Sequence, residues 1–373
     1  MRILFTRFPL ESRYGGAEVQ TLSLMEGLRK RGHEVLFLGS CPILLREAHS
    51  SQLTAHRLMI GPPPVTKWGV VSFRWRKRAM RQKLIATLQS KELQNIDAVF
   101  MLSLTEKLLL TEELHRRGIR VYWIEHDRIG RWLTKNPWLK TIKRLSTLAT
   151  TICVSQLSRN MYLKLGFLPE RVTAIPNGID LQRLAGTNVS TKHHDAPMTN
   201  PRTLHIGCIA RLSSEKGIDL LIKAVGPRKE ISLTIVGAGP EEQHLRTMIN
   251  TFTNINIIQH VECLGEFYRT LDIFILPSRE HDPFGLVAAE AMLCGVPTVV
   301  TDACGIAGYI RDTEEALIVP AGSVAPLGHA IMLLRHATTR HAMAIRGKEA
   351  AMKAFSLQAM IDGYESLLRA SQA

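Results

Sequence analysis

Apolar residues in this chain fall into two rhythms that alternate along its length. Short, nearly continuous apolar runs closed by turn-forming residues read as buried strands; between them apolar positions recur every three or four residues, as on one helix face. Runs of the first kind in the first half are RILFT from Arg2, EVLFLG from Glu34, DAVFML from Asp97, RVYWIEH from Arg120, TTICVS from Thr150 and VTAIPNG from Val172. A second series opens with RTLHIGCIA from Arg202. It continues through a helix around GIDLLIKAV from Gly217 and adds SLTIVG, NINIIQHV, DIFILPS and PTVVTD. Strands alternating with helices predict an α/β protein with two doubly wound sheets. Between the two series, Ala185 to Pro201 is rich in Thr, Asn, Ser, His and Pro without any apolar period, which marks a linker. The expected division is a first domain over 1–184, a linker over 185–201, a second domain over 202–353 and an amphipathic helical end over 354–373.

Length supports two domains, because 373 residues exceed the size at which one core normally keeps growing. Composition is that of a globular chain, 45% apolar, with no run near the roughly 18 uninterrupted apolar residues a spanning helix needs. The opening MRILFTRFPL is too short and too charged for a signal peptide and reads as a first strand. The six cysteines, at 41, 153, 208, 263, 294 and 304, have no CxxC spacing, and His193 and His194 have no spaced partners. A reducing cytoplasm and no structural zinc are therefore expected.

Charge changes the picture once it is divided. Met1 to Gln182 holds 29 Lys plus Arg against 14 Asp plus Glu, a net +15, whereas the rest holds 18 against 19, a net −1. A basic first half attracts polyanions. Its densest part, Trp68 to Leu84, mixes Trp68, Phe73 and Trp75 with Arg74, Arg76, Lys77, Arg78, Arg81 and Lys83. That mixture suits an anionic membrane surface, where each basic residue adds about 1 kcal/mol; the plainer alternative is a solvated helix face with an aromatic in the core. No nucleic-acid recognition motif accompanies the charge. The expected location is cytoplasmic, at the inner face of the cytoplasmic membrane.

Candidate chemistry concentrates in the stretch from His281, HDPFGLVAAEAMLCGVPTVV. It follows the strand DIFILPS and sets Asp282 and Glu290 eight positions apart around a Phe-Gly-Leu-Val turn that opens a helix. Backbone N–H groups and the positive end of the helix dipole suit a diphosphate there, and a carboxylate in the first helical turn can grip paired hydroxyls. Such a site suits a nucleotide sugar. In ARLSSEKGIDLLIKA, Arg211 and Lys216 lie five residues apart in a loop before Gly217, placed to neutralise a departing diphosphate. Gly15 and Gly16, between the first strand and the first helix, let backbone approach a phosphate closely. In WIEHD, His126 and Asp127 end an apolar strand, with Glu125 a further proton-handling candidate. VGAGPEEQHL from Val236 has Glu242 where a dinucleotide fingerprint needs its third glycine, so it reads as a structural turn.

These segments resemble the retaining glycosyltransferases of family 4, whose GT-B fold has two facing Rossmann-like domains. The family signature is Glu, seven residues, Glu; here Asp282 stands at the first position, with its carboxylate drawn back by about 1.5 Å. Glu280 is a possible substitute but lies two residues early. The resemblance implies hexosyl transfer from a nucleoside-diphosphate sugar to an acceptor hydroxyl with retention of anomeric configuration, the acceptor being a lipid-linked or cell-envelope glycan. It assigns Arg211 and Lys216 to the diphosphate, Glu290 to the ribose, and Asp282 with the backbone of Phe284, Gly285, Leu286 and Val287 to the sugar. It puts Val261 near the nucleobase, and Gly15, Gly16 and His126 on the opposite side of the ligand. It also implies that the last helix packs back on the first domain. No cofactor and no metal are expected, since two cations and helix N-termini can meet the diphosphate and no Asp-x-Asp cluster is present. Rival readings are a nucleotide-sugar isomerase or hydrolase on the same fold and a catalytically silent glycan-binding relative.

Overall fold

A computed structural model describes residues 1–10, 15–51, 53–184 and 203–370; the linker expected over 185–201 lies outside them. The chain forms two compact units, one of Met1–Gly178 with Met360–Ala373, the other of Ile179–Ala359.

The first unit is built on strands β1 (Arg2–Arg7), β2 (Glu34–Gly39), β3 (Thr54–Arg57), β4 (Ala98–Met101), β5 (Arg120–Glu125), β6 (Thr150–Cys153) and β7 (Val172–Ala174). They form a parallel sheet in the order β3-β2-β1-β4-β5-β6-β7, with Ile3 opposite both Val35 and Ala98. Burial on both faces explains the continuous apolar runs. One face holds an aromatic stack in which Phe100 packs against Phe5 and Tyr122, each at 4.9 Å, and meets the edge of Tyr364 at 5.8 Å. Each such buried ring stabilises the unit by about 2–3 kcal/mol. Tyr364 belongs to the helix Leu357–Ala370. That helix is further tied down by Arg31, which pairs with Glu365 at 2.8 Å and with Asp362, and by Arg120, which donates to the Leu368 carbonyl at 2.7 Å.

The second unit contains β8 (Leu204–Ile209), β9 (Ile231–Val236), β10 (Ile255–Ile258), β11 (Ile273–Leu276), β12 (Thr298–Thr301) and β13 (Leu317–Val319). All are parallel, in the order β10-β9-β8-β11-β12-β13. Its core joins Ile206, Ile235, Ile275 and Val299 of the sheet to Leu221, Ile222 and Ile331 of the helices. Phe355 closes this unit, meeting Phe284 edge-on at 5.5 Å and Tyr309 at 6.0 Å. That contact keeps residues 354–359 with the second unit, so the chain joins the first unit at Met360, not 354. The earlier division falls at Gly178, because Ile179 donates its N–H to the Phe355 carbonyl and the bend Leu181–Arg183 follows within the second unit.

Each sheet reverses its strand order once, between β1 and β4 in the first and between β8 and β11 in the second. In open α/β sheets ligands bind beyond the carboxyl ends of strands at these reversals.

Candidate active site

At the reversal in the second sheet the loops after β8 and β11 are bound into one framework. Gly217 ends a short turn, Ser214–Lys216, at φ +64° and backs onto the Pro277 carbonyl, where a side chain would collide. The Glu215 carbonyl accepts from the N–H groups of Arg279 and Glu280, at 2.8 and 3.2 Å. Arg279 also grips Asp219 with two bonds of 2.7 and 2.8 Å. Within this framework Lys216 Nζ lies 2.6 Å from Asp282 Oδ2, which also accepts from Ser278 Oγ at 3.1 Å. Arg211 is exposed on the same loop, and its guanidinium has no hydrogen bond or ion pair among the described residues.

The Phe-Gly-Leu-Val turn does open a helix, Leu286–Leu293, with Gly285 as its N-cap at φ +94°. Neither carboxylate, however, lies in the first turn: Asp282 precedes the cap and Glu290 sits in the second turn. The Phe284 ring is buried and its carbonyl accepts from Ile306 N–H at 2.7 Å. The Gly285 carbonyl accepts from the N–H groups of Ala288 and Ala289, at 3.0 and 3.3 Å, so of the first turn only the N–H groups of Leu286 and Val287 have no acceptor within the helix. Tyr268 Oη is 2.9 Å from Glu290 Oε2 and 3.1 Å from the Val287 carbonyl. Burial pushes the Glu290 carboxyl up, against the Tyr268 hydrogen bond and the positive charge of Arg183. Val261 is half-buried between β10 and the helix Leu264–Arg269. Glu280 is exposed. Gly237 and Gly239 back onto the carbonyls of Ala210 and Leu212.

In the first unit, Gly15 is extended and caps the helix Gly16–Lys30, its carbonyl accepting from Val19 at 3.1 Å. Arg7, ending β1, pairs with Glu18 at 2.6 Å. Glu125, ending β5, pairs with Lys107 at 2.8 Å, both almost fully buried. His126 follows, half-buried. Burial, then the charges of Arg7 and Lys107, push its pKa down to about 3, which keeps the imidazole neutral. Asp127 is exposed. Beside these groups lies a cavity of about 350 Å³ with Arg7, Lys107, Glu125 and Asp127 among its polar walls and Phe8, Pro63, Val65, Leu104, Trp132 and Leu133 among its apolar ones.

Arg7, Lys107, Ser278, Tyr268 and the Arg279–Asp219 clasp escaped the sequence reading. Lys107 and Arg7 carry no local motif; Tyr268 alone had a signal, as an aromatic with a hydroxyl in a short helix before β11.

Residues 14–183 match the family described as Glycosyltransferase Family 4, and residues 190–350 match Glycosyl transferases group 1. Both halves of the chain belong to the glycosyltransferases. Similar proteins include a phosphatidyl-myo-inositol mannosyltransferase of Mycobacterium leprae, 29% identical over 212 residues, or 53% of each chain. Another is the lipopolysaccharide core biosynthesis glycosyltransferase LpsE of Rhizobium meliloti, 29% identical over 181 residues, 47% of this chain and 51% of that one. The chain thus spans about half the length of these curated relatives. Among solved structures, Anabaena HepE in complex with UDP superposes with a TM-score of 0.79 at 18% identity, covering 99% of this chain and 100% of that one. The glycosyltransferase therefore has the GT-B type of architecture, two Rossmann-like units with parallel sheets.

Proposed function

We propose that this chain transfers a hexosyl group from a nucleoside-diphosphate sugar to an acceptor hydroxyl, with the anomeric configuration retained. The observation that carries the reading is the arrangement at the reversal of the second sheet. Lys216 is held 2.6 Å from Asp282, Arg211 stands exposed on the same loop, and the N-terminus of the helix Leu286–Leu293 follows directly. As the glycosidic bond breaks, negative charge collects on the departing diphosphate, and fixed cations with helix N–H groups lower the energy of that state. Glu290, oriented by Tyr268, is assigned to the ribose hydroxyls, and Val261 to the nucleobase side. His126, kept neutral, orients a hydroxyl without contributing charge. Within the first unit, Gly15 and Gly16 are proposed as backbone that a ligand group can approach closely. The reading assigns no metal and no cofactor.

For the acceptor we propose a lipid-linked or cell-envelope glycan. What supports this is the mixed cavity of the first unit together with the helix Lys67–Leu88. On that helix Trp68 is 82% and Trp75 74% exposed, with Val71 between them on the same stripe, while Phe73 is core. Arg74 and Arg78 are exposed alongside. Arg76 is occupied by Ser72 and the Pro62 carbonyl, and Lys77 stands over the Trp138 ring at 5.0 Å. The membrane reading therefore rests on Trp68, Trp75, Arg74 and Arg78. Among the described residues no helix is long and apolar enough to cross a membrane.

Calorimetry with a panel of nucleotide sugars, followed by mass spectrometry of the product with candidate acceptors, tests the activity. A glycosylated acceptor is expected; donor loss without one indicates a hydrolase or isomerase, and binding without turnover a silent relative. Flotation with anionic vesicles tests the surface. Trp68→Ser with Trp75→Ser, or Arg74→Gln with Arg78→Gln, should cut binding several-fold, and unchanged flotation would remove the membrane proposal.

A further inference from the structure

We propose that the cavity of the first unit selects an uncharged sugar ring as the acceptor group and turns away rings that carry a phosphate or a carboxylate. This rests on the reading of that cavity as the acceptor's place, and it narrows the glycan to an electrically neutral ring at the position that enters.

The walls offer no spare cation to an acid. Lys107 is 3% exposed and gives its ammonium to Glu125 Oε1 at 2.8 Å and to the Ile124 carbonyl at 3.4 Å. Arg7, the other cation of the walls, is matched by Glu18 at 2.6 Å, and both of these side chains are largely buried. Drawing either cation onto a phosphate would strand a buried carboxylate without its partner. Asp127, also of the walls, adds a negative charge with no ion pair among the described residues, and His126 beside it is neutral. Two positive charges, on Arg7 and Lys107, thus face three negative ones, on Glu18, Glu125 and Asp127. A phosphate carries about −1.5 to −2 at neutral pH, so at the effective dielectric of a partly open site one unbalanced carboxylate weakens its binding by at least about tenfold.

A ring of hydroxyls meets the same walls on better terms. Ionised carboxylates only accept hydrogen bonds, and Asp127, exposed and without a hydrogen bond from its side chain among the described residues, has both oxygens to offer. Trp132 spends its indole N–H on the Arg128 carbonyl at 2.9 Å, so what it presents to the cavity is apolar ring surface, on which the carbon-bound hydrogens of a sugar ring can pack. Phe8 and Leu133 extend that apolar side. At about 350 Å³ the cavity is near the lower end for ligand sites, which fits a single ring better than a lipid chain.

Saturation-transfer NMR on the full chain reads the choice, with the methyl glycosides of glucose, mannose, galactose and N-acetylglucosamine set against the 6-phosphates of the same sugars. At least one uncharged glycoside should bind, and its phosphate should bind about tenfold more weakly or not at all. Trp132→Ala should lower the affinity for that glycoside several-fold, and Asp127→Asn should lower it while narrowing the gap to the phosphate. Asp127 is exposed, so Asn there leaves the fold intact, and a thermal melt identifies a Trp132 variant that has lost it. A phosphate that binds the wild type as tightly as its glycoside would overturn the proposal. So would glycoside binding that folded Trp132→Ala and Asp127→Asn leave unchanged, or binding of neither class. Transfer is read separately by mass spectrometry of the products. A hexosyl group found on phosphorylated acceptors and not on neutral ones overturns the proposal and leaves the transfer activity standing, whereas a donor that passes its sugar to no acceptor strikes the proposed activity as well.

Discussion

The two sheets reverse their strand order in the same way, yet they furnish the place where it happens with opposite chemistry. In the second unit the reversal is half open to water, with Arg211 exposed and Lys216 only partly covered. In the first unit the corresponding charges are nearly sealed: Lys107 and Glu125 are 3% and 7% exposed and line a cavity of mixed polar and apolar walls. Shared topology thus fixes where a ligand can go, while local burial decides what kind of ligand it is. A charged leaving group calls for cations with spare hydrogen-bonding capacity; a cavity with its charges already paired favours a group of mixed polarity.

The comparison can be broken most forcefully at the sealed pair. Lys107→Met leaves Glu125 buried without its partner and should cost about 3–5 kcal/mol of stability, whereas the double change Lys107→Met with Glu125→Leu should recover most of it. Denaturant melts of the three proteins decide, and a single variant as stable as the wild type would mean that water reaches the pair. Next in size, Lys216→Ala should lower turnover on the order of 10² or more with the fold intact; near-normal turnover would count heavily against the role of Lys216 at the leaving group.

A smaller effect concerns Glu106, which caps the helix Leu104–Arg116 and whose carboxyl burial pushes up to about 7. Because the folded value is raised, the stabilising share of this group is complete below pH 4.5 and is lost as pH rises from there through 7. Glu106→Gln, which keeps an acceptor for the Ser103 N–H, should therefore match the wild type at pH 4 and exceed it by about 2–3 kcal/mol at pH 8. A stability gap that does not widen with pH would contradict this. The smallest expected change is at His126. With its folded pKa near 3, its imidazole proton resonances should stay flat between pH 8 and 5, and a midpoint near 6.5 would show the ring to be open to solvent.

The sheet strands with continuous apolar runs were legible, and so was the helix that Gly285 opens. Strand β3, Thr-Ala-His-Arg, was not: it lies at the sheet edge with two half-buried and two exposed residues, so no apolar run announces it. Strand β13 has only three residues. In the candidate site, Arg211, Lys216 and the Asp282–Glu290 segment stood out in the sequence because each lies within one loop beside a glycine. The pairs that hold them were not, because Lys216 and Asp282, Asp219 and Arg279, or Tyr268 and Glu290 meet only when separate loops converge. Trp68 and Phe73 look alike in the sequence, and only the packing of their helix sends one outward and the other into the core.

The seat of Tyr364 against Phe100 has a consequence for how the protein is made. All seven strands of the first sheet have been synthesised by Ala174, but the ring that abuts Phe100 arrives only after the intervening unit has been translated. At ordinary elongation rates that delay is roughly 10–40 s. During it the Phe100 ring of the nascent first sheet lacks its Tyr364 partner, an apolar spot that a chaperone can hold.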